Sequence, residues 1–381
     1  MTKRLFYDDS HMREFEAHVL SCQPVGEKYE VVLDRTAFFP EGGGQAADTG
    51  SLGNVRVLDV REEGEQIIHL TDGELWAGAQ VSGRIDWETR FSRMQQHTGE
   101  HIVSGLIHGR FGYDNVGFHL GEEVCTLDLS GPITKEELAE IELAANQVVF
   151  ANLPVEVTYP SREELEALDY RSKIEIEGQV RIVTIPGVDV CACCAPHVSH
   201  TGEIGLVKFI HMQNYKGGVR ITMVCGLRAL MDYRAKEESV KAIMQSLSSK
   251  EEKIAEAVEH LKEEVAEQKR RGVSLLHEVF LCKVKEIPEN TRKVCLFEDD
   301  LDGGALRELM NLALSRGVGI CGVFTGNDAE GYRYVLGSKT EDVRPFGKAL
   351  NEAFAGRGGG KPEMVQGSLK GKEAEIRSHF S

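Results

Sequence analysis

No apolar run in this chain approaches the roughly 20 residues that a membrane-spanning helix needs. Its first twenty residues, MTKRLFYDDSHMREFEAHVL, hold neither the apolar core nor the cleavage site of a secretory signal. A membrane span and signal-directed export are therefore not expected, and the reading is cytoplasmic. Positive charge is also lacking: the formal net charge is −17, whereas nucleic-acid binders draw affinity from basic patches. That weighs against RNA without excluding a local basic groove, because charges beyond about 8–10 Å are screened at physiological salt. Cysteine is too sparse and uneven for a secreted disulfide framework. There are nine in 381 residues, with three together at Cys191, Cys193 and Cys194. That cluster points to metal chemistry. No internal repeat is found.

A chain of 381 residues, 41% hydrophobic and 28% charged, has material for two or three domains with real cores. Its patterning predicts an α+β multidomain architecture. Residues 1–90 read as mostly strand: Tyr29 to Leu33, Val55 to Val60, Gln66 to Leu70 and Val81 to Trp87, with glycine-containing turns between them, suggest a small β-barrel. Residues 91–230 mix helix and strand. A helix is expected over Arg90 to Gly109, and capping boxes at Thr134-Lys135-Glu136-Glu137 and Ser161-Arg162-Glu163-Glu164 open two more. Strands follow at Val180 to Ile185, Leu206 to Met212 and Val219 to Val224. Residues 231–272 read as one long charged helix, a coiled-coil linker whose seam Val240, Leu247, Ile254 and Leu261 is interrupted by Lys250 and Glu264. A hairpin or dimer helix suits so weak a seam better than a fibre. Residues 273–381 look like a separate α/β domain, interrupted by the glycine-rich stretch Gly356 to Pro362.

Two short motifs carry the chemistry. His97 and His101 stand four apart in Gln-Gln-His-Thr-Gly-Glu-His, which places both imidazoles on one helix face. In the zinc-protease motif a glutamate follows the first histidine; here that place is Thr98, and Glu100 points to another face. Alone, such a pair is more often a surface or core feature. The second motif is Cys191-Ala192-Cys193-Cys194-Ala195-Pro196-His197, with Cys193 and His197 as a C-x3-H pair. Thiolate and neutral imidazole both suit zinc. Together the motifs predict one zinc per chain on His97, His101, Cys193 and His197.

With these residues in view, the chain resembles a known family. His-x3-His, followed some ninety residues later by Cys-x3-His-x3-Thr-Gly-Glu-Ile-Gly, is similar to the editing domain of alanyl-tRNA synthetase, and still more to the stand-alone alanyl-tRNA editing proteins in their long form. Leu33 to Gln45 with Asp48 and Gly50 resembles the family's glycine-rich barrel motif, as does Val116 to Leu120. Gly356 to Gly367 resembles the domain that ends alanyl-tRNA synthetases and many DHH phosphoesterases. The synthetase version has Gly-Gly-Thr where this chain has Cys194-Ala195-Pro196; only Cys193 keeps the family spacing. No segment looks like the ATP-binding core of a class II synthetase.

The resemblance implies a zinc-containing editing domain over 91–230 and a tRNA-binding or oligomerisation domain over 273–381. It implies zinc-dependent hydrolysis of the ester on mischarged tRNA(Ala), serine foremost and glycine second. Thr36 would sense the serine hydroxyl, and Gln45 would lie in the catalytic pocket. Gly42, Gly43 and Gly44 form a turn or let backbone approach the terminal adenosine. Four protein ligands would close the position a catalytic zinc keeps open, which leaves His197 either a weaker ligand or one that moves when substrate enters. Lys216, Arg220 and Arg228 are candidates for phosphate contact, and Arg357 and Lys361 in the glycine segment are better ones. A homodimer through the coiled coil or the last domain is the other expected partnership. Two rivals stand beside this reading. One is a structural zinc module without catalysis. The other is a phosphoesterase, for which the chain lacks the Asp-His-His triplet.

Overall fold

Alternating side chains close the N-terminal strands into a barrel. In the computed structural model, which describes residues 1–172 and 179–381, Glu14–Val25 directs Phe15, Ala17 and Val19 inward and their neighbours outward. This twelve-residue strand escaped the sequence reading. It pairs with Lys28–Leu33, and the barrel continues through Gln66–Thr71, Val55–Glu63, Gly50–Leu52 and Gln80–Ile85 back to the first strand, antiparallel throughout. Leu33, Leu52, Val57 and Ile67 fill it completely buried. Each such side chain contributes roughly 1.5–3 kcal/mol.

The last barrel strand, Gln80–Ile85, ends two residues before Trp87, its expected end. Asp86 is engaged by Thr49 and Arg56, and Trp87 opens a helix of 25 residues, Trp87–Phe111. Gly112 ends it with φ 71°. From Met94 to Gly105 every residue is buried. This central helix packs against Lys135–Ala151 and a four-stranded antiparallel sheet in the order Val207–Tyr215, Gly218–Cys225, Cys125–Leu129, Asn115–Leu120. A three-stranded sheet, Glu156–Thr158, Ile182–Ile185 and Asp189–Ala192, lies beside it. Both capping boxes form, at Thr134 and at Ser161. A buried Arg90–Asp48 ion pair ties the helix to the barrel; Arg90 also donates to the carbonyls of Ala37 and Ser10, and Asp48 accepts from Phe39 N.

The expected single helix over 231–272 is two helices, Gly226–Leu247 and Ile254–Lys285. The break falls at Ser248, whose φ is 50°, and the boundary between the two compact units, Met1–Ala242 and Ile243–Ser381, lies just before it. Leu247 and Ile254, consecutive in the supposed seam, therefore sit on different helices. The second unit holds a five-stranded sheet in the order Lys293–Glu298, Ile320–Asn327, Gly331–Gly337, Met364–Leu369, Arg357–Lys361. Its first pair is parallel and the rest antiparallel. The glycine-rich stretch expected to interrupt the domain is thus an edge strand. Among the described residues no helix is long and apolar enough to cross a membrane.

Candidate metal centre

The central helix presents His97 and His101 on one face, and the loop after strand Asp189–Ala192 brings Cys193 and His197 to meet them. One ligand atom from each of the four lies within 4.8 Å of all the others. Three of the four are buried and Cys193 is partly so. The Cys193 sulfur stands 3.6 Å from His97 Nε2 and 3.4 Å from His197 Nε2.

Each imidazole is aimed by a different partner on its far nitrogen. His97 Nδ1 donates to Gln45 Oε1 at 3.2 Å, and His101 Nδ1 to Asp189 Oδ2 at 2.9 Å. His197 Nδ1 meets Thr98 Oγ1 at 3.0 Å. With Nδ1 occupied, each ring turns Nε2 towards the centre, the arrangement by which outer partners fix histidine ligands. Asp189 is itself gripped by Arg171 at 2.8 and 2.9 Å. Gly105 makes the Asp189 contact possible: a Cβ there would lie 2.4 Å from the Val188 carbonyl, so glycine lets the helix approach the strand. Arg181 braces the loop, donating to the carbonyls of Cys193 at 2.8 Å and Ala195 at 3.0 Å.

Burial alone would push the Cys193 thiol up, but the imidazoles of His97 and His197 and hydrogen bonds from His101 and His197 outweigh it and hold the group well below the ordinary thiol range. Thiolate is the form that binds metal. Burial lowers His197 to about 3, keeping that ring neutral, as a ligand must be.

Gln45 is fully buried at the end of the glycine turn. Gly42 and Gln45 exchange both backbone hydrogen bonds, and Gly43 and Gly44 between them take φ of 61° and 79°, the two-residue turn that glycine favours. While Gln45 Oε1 holds His97, Gln45 Nε2 has no partner among the described residues. A buried amide N–H without an acceptor is a vacant donor beside the cluster. Thr36 is placed differently. It is buried in the barrel, where its hydroxyl donates to His69 Nε2 at 2.8 Å and accepts from Phe38 N at 3.1 Å. His69 Nδ1 donates to the Val31 carbonyl, which fixes that direction.

Glu100 faces away from the cluster, accepting from Ser104 and Asn115. Arg220 is engaged twice by Asp128 and stacks 3.9 Å over Tyr215, and Lys216 sits in the neighbouring hairpin turn. Arg357 and Lys361 lie exposed at the ends of their edge strand in the second unit. The sequence reading missed Thr98, Asp189, Arg171 and Arg181 as supports of the site.

Comparison with known proteins extends this geometry. The family described as threonyl and alanyl tRNA synthetase second additional domain matches residues 180–245, the segment that carries Cys193 and His197. A model described as tRNA synthetases class II (A) matches residues 6–89, which fold as the barrel. The segment that brings Cys193 and His197 to the cluster is therefore similar to that additional domain. Alanyl-tRNA editing protein Aarsd1 of Rattus norvegicus is 30% identical over 97% of this chain and 95% of its own length. Alanyl-tRNA editing protein AlaX-L of Pyrococcus horikoshii is 28% identical over 99% and 96%. An alanine–tRNA ligase of Ignicoccus hospitalis is 35% identical over 72% of the chain, which spans only 32% of that ligase. The chain belongs to the stand-alone alanyl-tRNA editing proteins.

Proposed function

We propose that this protein deacylates mischarged tRNA(Ala), seryl-tRNA first and glycyl-tRNA second, with one zinc ion at the cluster. The observation that carries the metal reading is distance. Zn–N bonds of about 2.0–2.1 Å and a Zn–S bond of about 2.3 Å give a tetrahedral N···S edge of about 3.5 Å, and the Cys193 sulfur stands 3.6 and 3.4 Å from two of the imidazoles. His97, His101 and Cys193 hold the ion, with His197 as the fourth ligand. When bound, zinc would polarise the ester carbonyl or activate water for attack.

The chain's own groups do the rest. Gln45 steadies His97 and offers its unpartnered Nε2–H to an oxygen of the substrate. Gly43 and Gly44 keep the turn narrow, so backbone can come close to the acylated nucleotide. Thr36 is the residue proposed to distinguish serine from alanine, since a hydrogen-bonding pocket rejects the analogue without the hydroxyl. Because His69 takes the Thr36 proton, the Thr36 oxygen can only accept. Arg357 and Lys361 are proposed as RNA contacts of the second unit. Homodimerisation is its alternative role, supported by the exposed apolar stripe Val258, Leu261 and Val265.

Deacylation of serine, glycine and alanine from tRNA(Ala), with metal analysis of the same preparations, tests the reading. Hydrolysis of the first two and sparing of the third are expected. His101→Ala and Cys193→Ala should lose both zinc and activity, and full zinc retention in both variants would sink the ligand assignment. Thr36→Val should shrink the serine-over-alanine preference in kcat/KM with zinc unchanged; an unaltered ratio removes Thr36 from specificity.

A further inference from the structure

One cavity of the first unit is explained neither by the cluster nor by packing. It has a volume of about 440 Å³, and its walls include Ala46, Ser92, Arg93, Gly121, Glu122 and Arg228. Arg93 stands on the central helix one turn before His97, a rise of about 6 Å. Arg228 stands in the first turn of Gly226–Leu247. Both side chains are partly buried and held by neutral groups. Arg93 donates to the Ala47 carbonyl at 2.6 Å. Arg228 donates to Ser92 Oγ at 3.0 Å and to the Gly121 carbonyl at 2.9 Å.

Neither guanidinium forms an ion pair among the described residues, although the buried Arg90 pairs with Asp48 and the partly buried Arg171 with Asp189. Asp48 acts on Arg93, and Glu122 on both, only at a distance. Burial disfavours both charges, and Arg93 further disfavours that of Arg228. Two like charges therefore share a pocket in which, among the described residues, no carboxylate pairs with either guanidinium, although Glu88 and Glu122 also line it. Each guanidinium has five N–H donors, of which one hydrogen bond from Arg93 and two from Arg228 account for three in all. The remainder suit a tetrahedral oxyanion, the partner that an arginine fork fits best.

The pocket also adjoins the chemistry. Ala46 in its wall directly follows Gln45, and Leu120, also in its wall, donates its N–H to the Gly44 carbonyl at 3.2 Å. We propose that Arg93 and Arg228 bind a backbone phosphate of the RNA 3′ strand whose acylated end reaches the His97–Cys193 cluster. This rests on the deacylase reading above and adds to it the anchor that sets the strand's position. A free phosphate ion would satisfy the same groups, so the test separates the two sources.

Binding of uncharged tRNA(Ala) is measured at several salt concentrations for the wild type, Arg228→Gln and Arg228→Lys. It is repeated with tRNAs carrying a single neutral methylphosphonate at successive positions of the 3′ strand. Arg228→Gln should weaken binding roughly tenfold or more and lower the slope of log affinity against log salt by about 0.7, while Arg228→Lys keeps the slope. One methylphosphonate position should weaken the wild type and leave Arg228→Gln indifferent. A wild-type slope in Arg228→Gln, with undiminished sensitivity at every position, overturns the proposal. Should Arg228→Gln fail to fold, the wild-type series decides: no sensitive position near the 3′ end overturns it too. Inorganic phosphate bound by the wild type, with no sensitive position in the RNA, would assign the pocket to a free anion and likewise overturn it. The deacylase reading fails separately, if the wild type binds RNA through this pocket but hydrolyses no charged tRNA.

Discussion

The chain contains three consecutive glycines twice, and the two runs do opposite things. Gly42, Gly43 and Gly44 build a tight turn, two of them left-handed, wedged between Cys194 and Phe118. Gly358, Gly359 and Gly360 lie extended in an edge strand paired with Met364–Leu369. In the turn, glycine is required by the torsion angles and by the neighbours. In the strand, a Cβ at Gly358 or Gly360 would fall within 2.4 Å of the facing carbonyls, whereas one at Gly359 meets nothing within 4 Å. Composition does not distinguish the runs; what pairs with the flanking residues does.

The largest effect should come from Gly44→Ala. At φ 79°, with the Phe118 carbonyl 3.1 Å from the new Cβ, the left-handed backbone alone costs roughly 1–2 kcal/mol. Gln45 is then carried off His97. Deacylation should fall at least tenfold with a lower melting temperature; wild-type values for both would show that the turn does not hold Gln45. Gly43→Ala should cost less, because its tight contact is the Cys194 sulfur at 3.3 Å, a side-chain atom that can move. Adding Cys194→Ala should recover part of the loss, with a coupling of about 0.5 kcal/mol or more in a double-mutant cycle; simple additivity would separate the two residues.

The strand predictions are smaller and concern binding. Arg357→Ala with Lys361→Ala should leave zinc unchanged and reduce the salt slope of tRNA binding by up to about 0.7–0.9 per lost phosphate contact. An unchanged slope would turn attention to oligomerisation. Gly359→Ala should alter stability by no more than about 0.5 kcal/mol. If it weakens tRNA binding all the same, the missing side chain serves the partner's approach; if it changes nothing, that glycine is dispensable.

What the sequence disclosed follows from how local each signal was. His97 with His101, and Cys193 with His197, announce themselves by spacing, and Thr134 and Ser161 by their capping boxes. The supports of the cluster have no spacing to read. Asp189 lies 88 residues from His101, and Thr98 lies 99 from His197. By position Thr98 reads as the residue standing where a protease has its glutamate, whereas its partner is a histidine of the other motif. The helix break at Ser248 was hidden because the seven-residue spacing runs through it unaltered. Arg357–Lys361 looked like a loop because glycine is depleted in strands; its neighbour across the sheet supplied the order that its own side chains could not. The barrel strand Glu14–Val25 gives a weak signal because alanine at position 17 dilutes its alternation.

The histidine supports also bear on how the molecule comes to be folded. Gln45 arrives from the barrel, Thr98 from the central helix and Asp189 from a strand nearly a hundred residues further on. Closing such long loops precedes any reward from the contacts they make. During refolding, metal capture with native affinity should therefore coincide with the last docking event. An ion held there would serve as a clock for completed assembly, and a chelator should strip it from the centre before it loosens the barrel.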